Sequence, residues 1–305
     1  MWNYVIRRVF QSFLVLFGAT LVAFLITRVT GDPVKLMLPE DATEQERQSM
    51  RVQMGLDRPV LIQYGDYLTK AVTGDLGKSV RQKISVTQLI AERVPATLEL
   101  TFAALFIGIV ISFPVGIFVA LRRNSVWDLF GTSFSLLGQA APTFWTGLML
   151  ILIFGVHFRL LPISGRGSPA HLVLPAITLG FFVTGRFTRM IRSGMLEVLG
   201  KEYIRTARAK GLSERTVVWG HALRNASIPV VTLIGLEFAA LLGGAIIVET
   251  VFAWPGIGRL VVNAVLQRDF PVVQGVVLVS AVIFVIVNLV VDLFYSVLDP
   301  RISYS

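Results

Sequence analysis

Arg205-Thr-Ala-Arg-Ala-Lys-Gly211, nine further residues and then His221-Ala-Leu-Arg224 make up the middle of a basic, polar stretch that reaches from Glu197 to Pro229. A long apolar segment lies on either side of it. Charge left in hydrocarbon is expensive, so a stretch of this kind between two membrane-length segments stays in water, where something contacts it. It implies a chain that crosses a bilayer several times and carries one connection with a partner outside the membrane.

Composition agrees. Of 305 residues, 54% are hydrophobic and only 15% charged, and the mean hydropathy is +0.71. A soluble domain of this size has too few polar residues here to cover its outside. The net charge of +9 would suggest nucleic acid in a soluble protein. Here the basic excess lies in loops beside apolar segments, where membrane topology accounts for it, and no nucleic-acid partner is expected. With no cysteine there is no disulfide, iron–sulfur or thiolate metal chemistry. His157, His171 and His221 are too scattered for a metal site.

Six segments reach the roughly 20 residues that a helix needs to span a bilayer core: 9–29, 98–121, 129–156, 172–191, 229–248 and 275–298. The first is too long, and lacks the small-residue cleavage site, for a removable signal. Basic residues in short loops set the orientation. With the N-terminus inside, Arg7, Arg8, Arg122, Arg123, nine from Arg186 to Arg224, and Arg301 face the cytoplasm. Arg159, Arg166, Arg259 and Arg268 lie outside. Both termini are then cytoplasmic. The expected organisation is a helix at 1–29, an outer loop at 30–97, a five-helix core at 98–298 and a tail at 299–305.

The outer loop carries helix punctuation. Asp41-Ala-Thr-Glu44 has capping-box spacing. Met50 and Met54 follow, and Gly55 is a stop. Pro59 starts a second helix with Leu61, Tyr64, Tyr67 and Leu68 on one face, and 86–94 is a third, ended by Pro95. Inside the spans, Glu237, Gln139 and Asn288 are the polar residues to explain, as pathway lining or as helix-to-helix contacts. The plainer reading is a pair with Arg186 or a backbone group. Arg186, Arg189 and Arg192 recur every three residues and are expected to snorkel to lipid headgroups. Pro114 and Pro142 are expected to interrupt the second and third spans.

Within the basic stretch, 199–212 reads as one helix with Gly211 as its stop. Lys201, Arg205 and Arg208 then share a face; Leu199, Tyr203 and Ala207 lie opposite, with Ile204 at the edge. Two partners suit such a helix: anionic lipid or the groove of a soluble protein.

Residue order favours the second. Glu202-Tyr-Ile-Arg-Thr-Ala-Arg-Ala-Lys-Gly-Leu-Ser-Glu214 followed by His221-Ala-Leu-Arg-Asn-Ala226 resembles the EAA motif of permease subunits of bacterial ABC importers, in the form found in the dipeptide/oligopeptide/nickel family. Gly211 and Leu223 keep the general motif's spacing. Arg205, His221 and Arg224 stand where that motif has Glu, Ile and Pro, and these departures are similar to the peptide branch. Gly55-Leu-Asp-Arg-Pro59, Gly74-Asp-Leu-Gly77, Glu92-Arg-Val-Pro-Ala-Thr-Leu-Glu99, Glu249-Thr-Val-Phe-Ala-Trp-Pro-Gly-Ile-Gly258 and Asp299-Pro-Arg301 resemble the same branch.

The resemblance implies an all-α, six-helix membrane protein with the type I ABC importer permease fold and a long periplasmic loop between the first two helices. It implies a homologous second permease, two ATPase subunits and a periplasmic binding protein as partners, in the bacterial inner membrane. Arg205, Thr206, Ala207, Ala209, Lys210, Gly211 and Leu212 would couple the chain to an ATPase. Trp254, Pro255, Gly256 and Gly258, in the outer loop at 252–273, would meet the binding protein. The phosphate-binding Gly-x-x-x-x-Gly-Lys-[Ser/Thr] is absent, so ATP and Mg belong to the partner ATPases and no cofactor is expected in this chain. Two other classes fit less well. An intramembrane serine protease would need a nucleophile and a later His, but Ser164-Gly165 lies in an outer loop and no His follows His221. A self-sufficient channel or secondary transporter would need no coupling helix.

Overall fold

The computed structural model describes residues 2–29, 34, 43–53 and 55–298. In chain order the helices are α1 (Trp2–Val29), α2 (Glu44–Gln53), α3 (Val60–Val72), α4 (Val86–Leu121), α5 (Val126–Ala140) and α6 (Thr143–Leu150), which runs on as a π-helix over Ile151–His157. There follow α7 (Pro169–Leu199), α8 (Glu202–Ala209), α9 (Glu214–Ala226), α10 (Ile228–Gly244), α11 (Ile246–Val251), α12 (Ile257–Leu266) and α13 (Phe270–Leu298). Among the described residues the only extended pairing is the isolated bridge between Lys78 and Ser85.

Four helical stretches are long and apolar enough to cross a membrane: Ile6–Leu25, Val86–Leu121, Pro169–Leu199 and Phe270–Val291. The expected third span is instead a bent pair, Val126–Ala140 and Thr143–His157, at 103°. The expected fifth is the upper part of another, Glu214–Ala226 and Ile228–Leu242, at 51°. Six spans result when each pair counts as one. Pro142 makes the first break, because Ala141 before it is extended (ψ 125°) as a residue preceding proline prefers. Pro114, expected to interrupt α4, and Pro95, expected to end a short helix, both lie inside unbroken α4. One missing N–H does not stop a helix whose flanking turns are held by packing.

The outer-loop punctuation is partly redrawn. The capping box is Thr43 with Glu46: the Glu46 amide donates to Thr43 Oγ1 (3.3 Å), and the Thr43 amide donates back to the Glu46 carboxylate (2.8 Å). Those hydrogen bonds hold the Glu46 carboxyl below its ordinary value. Asp41 and Met54 lie outside the described residues, as does Asp299-Pro-Arg301. Gly55 closes α2 at φ +65°. Pro59 precedes α3 as expected.

The chain divides into two compact units. The first comprises residues 1–97 and 255–289. In it α1 meets α3 through an aromatic set, with Phe24 5.1 Å from Tyr64 and 5.9 Å from Tyr67 between ring centres, and Thr20 Oγ1 lies 2.8 Å from Tyr64 Oη. The start of α4, α12 and the start of α13 bury Val86, Leu89, Ile90, Ile257, Leu260 and Val276 together. Asp269, 2% exposed, ties the 79–81 turn to this core by accepting from Ser79 Oγ and from the amides of Val80 (3.2 Å) and Arg81 (3.4 Å).

The second unit is built of residues 98–254 and the last turns from 290. Its centre is α7, whose Leu179, Val183, Phe187, Ile191 and Met195 recur every four residues and are all buried. Gly108 and Gly116 of α4 sit against Val183 and Ile191, too close for any added Cβ. Small residues at such crossings let membrane helices approach until backbone and side chain touch.

Candidate functional site

The basic connection between α7 and α10 is shorter in its helix than the sequence suggests. Leu199 closes α7, Gly200 and Lys201 turn the chain, and α8 covers only Glu202–Ala209. Its buried stripe is Ile204 (0% exposed) and Ala207 (7%), one turn apart, laid against α9, where Val217, Val218 and Ala222 are buried. This corrects the expected face: Ile204 is its centre and Tyr203 is exposed, because the turn at 200–201 resets the helix phase. Ala207 therefore packs inside this chain, while Arg205, Thr206, Ala209, Lys210, Gly211 and Leu212 face outward. Asn225 Nδ2 donates to Tyr203 Oη (2.8 Å), a second link between α8 and α9. Gly211 ends the helix at φ +79°, a left-handed conformation that glycine adopts without strain.

The basic face is internally answered. Lys201 pairs with Glu197 (2.9 Å), Arg205 with Glu202 (2.9 Å) and Arg208 with Glu214 through two bonds (2.7 and 3.3 Å). The Glu214 hydrogen bond raises Arg208 above its ordinary value. Exposed pairs contribute little stability, but they remove the unpaired charge that a lipid-seated helix would present. Lys210, Arg215 and Arg224 make no ion pair among the described residues.

Within the membrane core, the three arginines of α7 each hold a different partner rather than reaching for headgroups. Arg186 Nη1 donates to Glu237 Oε1 of α10. Arg189 Nη2 donates to Gln139 Oε1 of α5. Arg192 forms two bonds to Asp128 at the start of α5 (2.7 and 2.8 Å). Two of the polar residues singled out in the sequence, Gln139 and Glu237, are thus brought onto one arginine row. Asn288 is placed elsewhere: its amide donates to Phe284 O (2.8 Å), and it lines a cavity of about 170 Å³ with Arg8, Gln11 and Ser12 of α1.

Asp128 escaped sequence reasoning because the span was started one residue after it. Its signal was an acid in the first turn after a capping serine: Ser125 Oγ accepts from the Asp128 amide, and Asp128 accepts from the Asn124 amide (2.9 Å). The exposures along the row differ. Glu237 is 3% exposed, but the side chain of Arg186 is 42% exposed and lies 4.6 Å from the Phe182 ring centre. Arg186 is the eighteenth of 31 residues in α7. In the expected span at 172–191 it lies five residues from the inner end, and an arginine within a span ordinarily faces a bundle interior or a water-filled cavity.

The Trp254-Pro-Gly-Ile-Gly258 segment is an inner corner, not an outward surface. Trp254 is 0% exposed, Gly256 and Gly258 are buried, and Pro255 is half-buried. In the second unit the Arg166 guanidinium lies 5.8 Å from the Trp254 ring and pairs with Glu99 (2.6 Å), and the Gly165 amide donates to Phe252 O (2.8 Å). In the first, the Ile257 amide donates to Thr97 Oγ1 (2.9 Å). An aromatic of this size followed by proline and glycines turns the chain and fills the space under the turn. Docking through the Trp254 side chain is not what this geometry presents.

Comparison with known proteins gives the family. The model described as "Binding-protein-dependent transport system inner membrane component" matches residues 112–304, and that of the corresponding N-terminal region matches residues 1–101. The chain is 41% identical to the dipeptide transport system permease protein DppB of Escherichia coli K12, over all of both chains. It is 41% identical, again over the whole of both, to the glutathione transport system permease protein GsiC of the same strain, and 40% to DppB of Alkalihalophilus pseudofirmus. Among solved structures, an inward-facing MetNI methionine ABC transporter chain superposes with a TM-score of 0.61 at 19% identity, over 70% of this chain and 97% of that one. The fold is that of a type I ABC importer permease, and a self-sufficient channel or secondary transporter is not favoured. The chain belongs to the family of inner-membrane components of binding-protein-dependent transport systems, multi-pass membrane subunits that are not themselves the catalytic part.

Proposed function

We propose that this chain is one of two homologous permease subunits of an ATP-driven importer that carries di- or oligopeptides from the periplasm to the cytoplasm. Full-length identity to dipeptide permeases is the observation that supports the solute. Two ATPase subunits on the cytoplasmic side bind ATP and Mg, since this chain lacks the phosphate-binding loop, and a periplasmic binding protein delivers the peptide. Both termini are cytoplasmic in this reading, the segment at 30–97 is periplasmic, and 98–298 forms the core.

The α8 helix is the coupling element. It is short, its apolar stripe is fixed to α9, and Arg205, Thr206, Ala209, Lys210, Gly211 and Leu212 form the face left for an ATPase cleft. Ala207 serves from behind, as the small residue that seats the helix. Closure of the ATPases on ATP would push α8 and α9 together, and the bundle would switch between outward-open and inward-open states that differ in their contacts. Uptake of labelled trialanine into vesicles holding the complete importer tests the reading. Uptake that requires ATP, the binding protein and this chain supports it; uptake by the chain alone would return it to the channel class.

A further inference from the structure

We propose that Arg186 and Arg189 form a carboxylate-binding pair on the wall of the translocation pathway, with the buried Glu237 as its resident counter-ion. This rests on the peptide-importer reading and adds the group by which the solute is held inside the membrane.

Charge along α7 singles the pair out. Arg192 is matched by Asp128 and Arg186 by Glu237. Arg189 has no carboxylate partner among the described residues; a neutral amide, Gln139, stands where one would be. One positive charge is therefore uncompensated towards the inner end of the expected span at 172–191, on side chains that are exposed in this chain. A single carboxylate restores neutrality. The geometry suits one: residues three apart on a helix carry their side chains as neighbours, about 5–6 Å between Cβ atoms. A guanidinium has five N–H donors in a flat fork that matches a carboxylate.

The site is also built. Phe182 underlies the Arg186 plane (4.6 Å). Gln139 Nε2 lies 3.5 Å from Ser135 O, which turns Gln139 Oε1 to Arg189. Glu237 competes with any incoming carboxylate, so the solute is held loosely enough to leave, as a pathway requires. A fixed acid from a neighbouring chain would instead give a permanent pair.

The chain contains no cysteine, which makes the test direct. Gln139→Cys, which keeps both arginines, is introduced into the assembled importer in membrane vesicles and labelled with an anionic (sulfonatoethyl) or a cationic (trimethylammonioethyl) methanethiosulfonate, each rate being taken relative to that reagent's rate with free 2-mercaptoethanol. With Arg186 and Arg189 both retained, the anionic reagent should be favoured about tenfold after that normalisation, as focusing by the uncompensated charge predicts. Trialanine under ATP-driven turnover should slow that reaction, and trialanine amide should not. Equal normalised rates for the two reagents overturn the carboxylate site. Reaction of neither places the face against lipid or a second permease and overturns it as well. An anionic preference that trialanine leaves untouched overturns the solute as its ligand. If vesicles holding the unaltered importer do not take up trialanine at all, the peptide-importer reading fails, while the reagent preference still decides the anion site. Should Gln139→Cys not assemble, Phe182→Cys also keeps both arginines and gives the same readouts.

Discussion

Arg192 of α7 grips Asp128 of α5 through two nearly equal bonds, 2.7 Å from Nε and 2.8 Å from Nη2, with the carboxylate side chain 8% exposed. The fork joins the start of one membrane helix to the inner part of another, and it also caps the turn at Asn124. Removing one partner of such a pair leaves the other charge with little water. Asp128→Ala should cost about 3 kcal/mol, whereas Asp128→Ala with Arg192→Leu should recover more than half of that. Unfolding of the purified chain in mixed micelles, followed by helical circular dichroism with Arg192→Leu alone measured beside them, checks both; a double-variant loss equal to the sum of the two single losses would show that the pair contributes no coupling.

The Arg186–Glu237 pair is asymmetric, and its two deletions should differ. Glu237 is 3% exposed and Arg186 is 42% exposed. Arg186→Leu strands a carboxylate where little water reaches it, and it should destabilise by about 3 kcal/mol. Glu237→Gln leaves an arginine that already reaches solvent and should cost about 1 kcal/mol. The same unfolding measurement ranks the two, and the reverse order would mean that Glu237 is hydrated.

The class of fold was open to reading because hydropathy and loop charge are local properties: 54% hydrophobic residues in span-length runs leave no soluble alternative. The Arg186–Glu237 pair was legible because an acid and a base inside apolar segments have few other partners. What stayed hidden depends on phase and packing. The buried stripe Ile204–Ala207 follows from the turn at Gly200–Lys201, which no periodicity within 199–212 reveals. Trp254 has the composition of a docking residue, and only the positions of Arg166 and Glu99 show that it is covered. Pro114 and Pro142 are the same residue type in apolar surroundings, yet only the second breaks its helix.

Tyr67 of α3 carries a hydroxyl that is buried without a partner among the described residues. Burial, with the neighbouring Tyr64 adding to it, pushes its phenol up to about 12. The folded chain thus holds this proton more tightly than the unfolded one, whose phenol titrates near about 10. The associated stability is complete below about 10 and is lost as the pH rises towards 12. Tyr67→Phe should remove that alkaline decline and, by deleting an unsatisfied hydroxyl, be neutral or stabilising by up to about 1 kcal/mol at pH 7. Phenolate absorbance near 295 nm, recorded for both proteins against pH, would show one fewer late-titrating tyrosine in the variant; amplitude lost near about pH 10 instead would place Tyr67 in water.

Gly211 and Ala209 separate the shape of the coupling helix from its contact. Gly211 sits at φ +79° with open space where a Cβ would be, so any side chain there strains the backbone before it meets a partner. Gly211→Ala should cost about 1 kcal/mol, and Gly211→Asn less, because asparagine tolerates this conformation. Ala209 is exposed and helical, and Ala209→Trp should leave the unfolding transition where it was. If α8 seats in an ATPase cleft, Ala209→Trp should still assemble but lower peptide uptake per ATP hydrolysed by about tenfold, the effect of a coupling free energy of about 1.4 kcal/mol. Uptake and phosphate release from the same vesicles give that ratio. A normal ratio with Trp at position 209 would mean that the outward face of α8 touches no moving partner, and the coupling role would pass to another element.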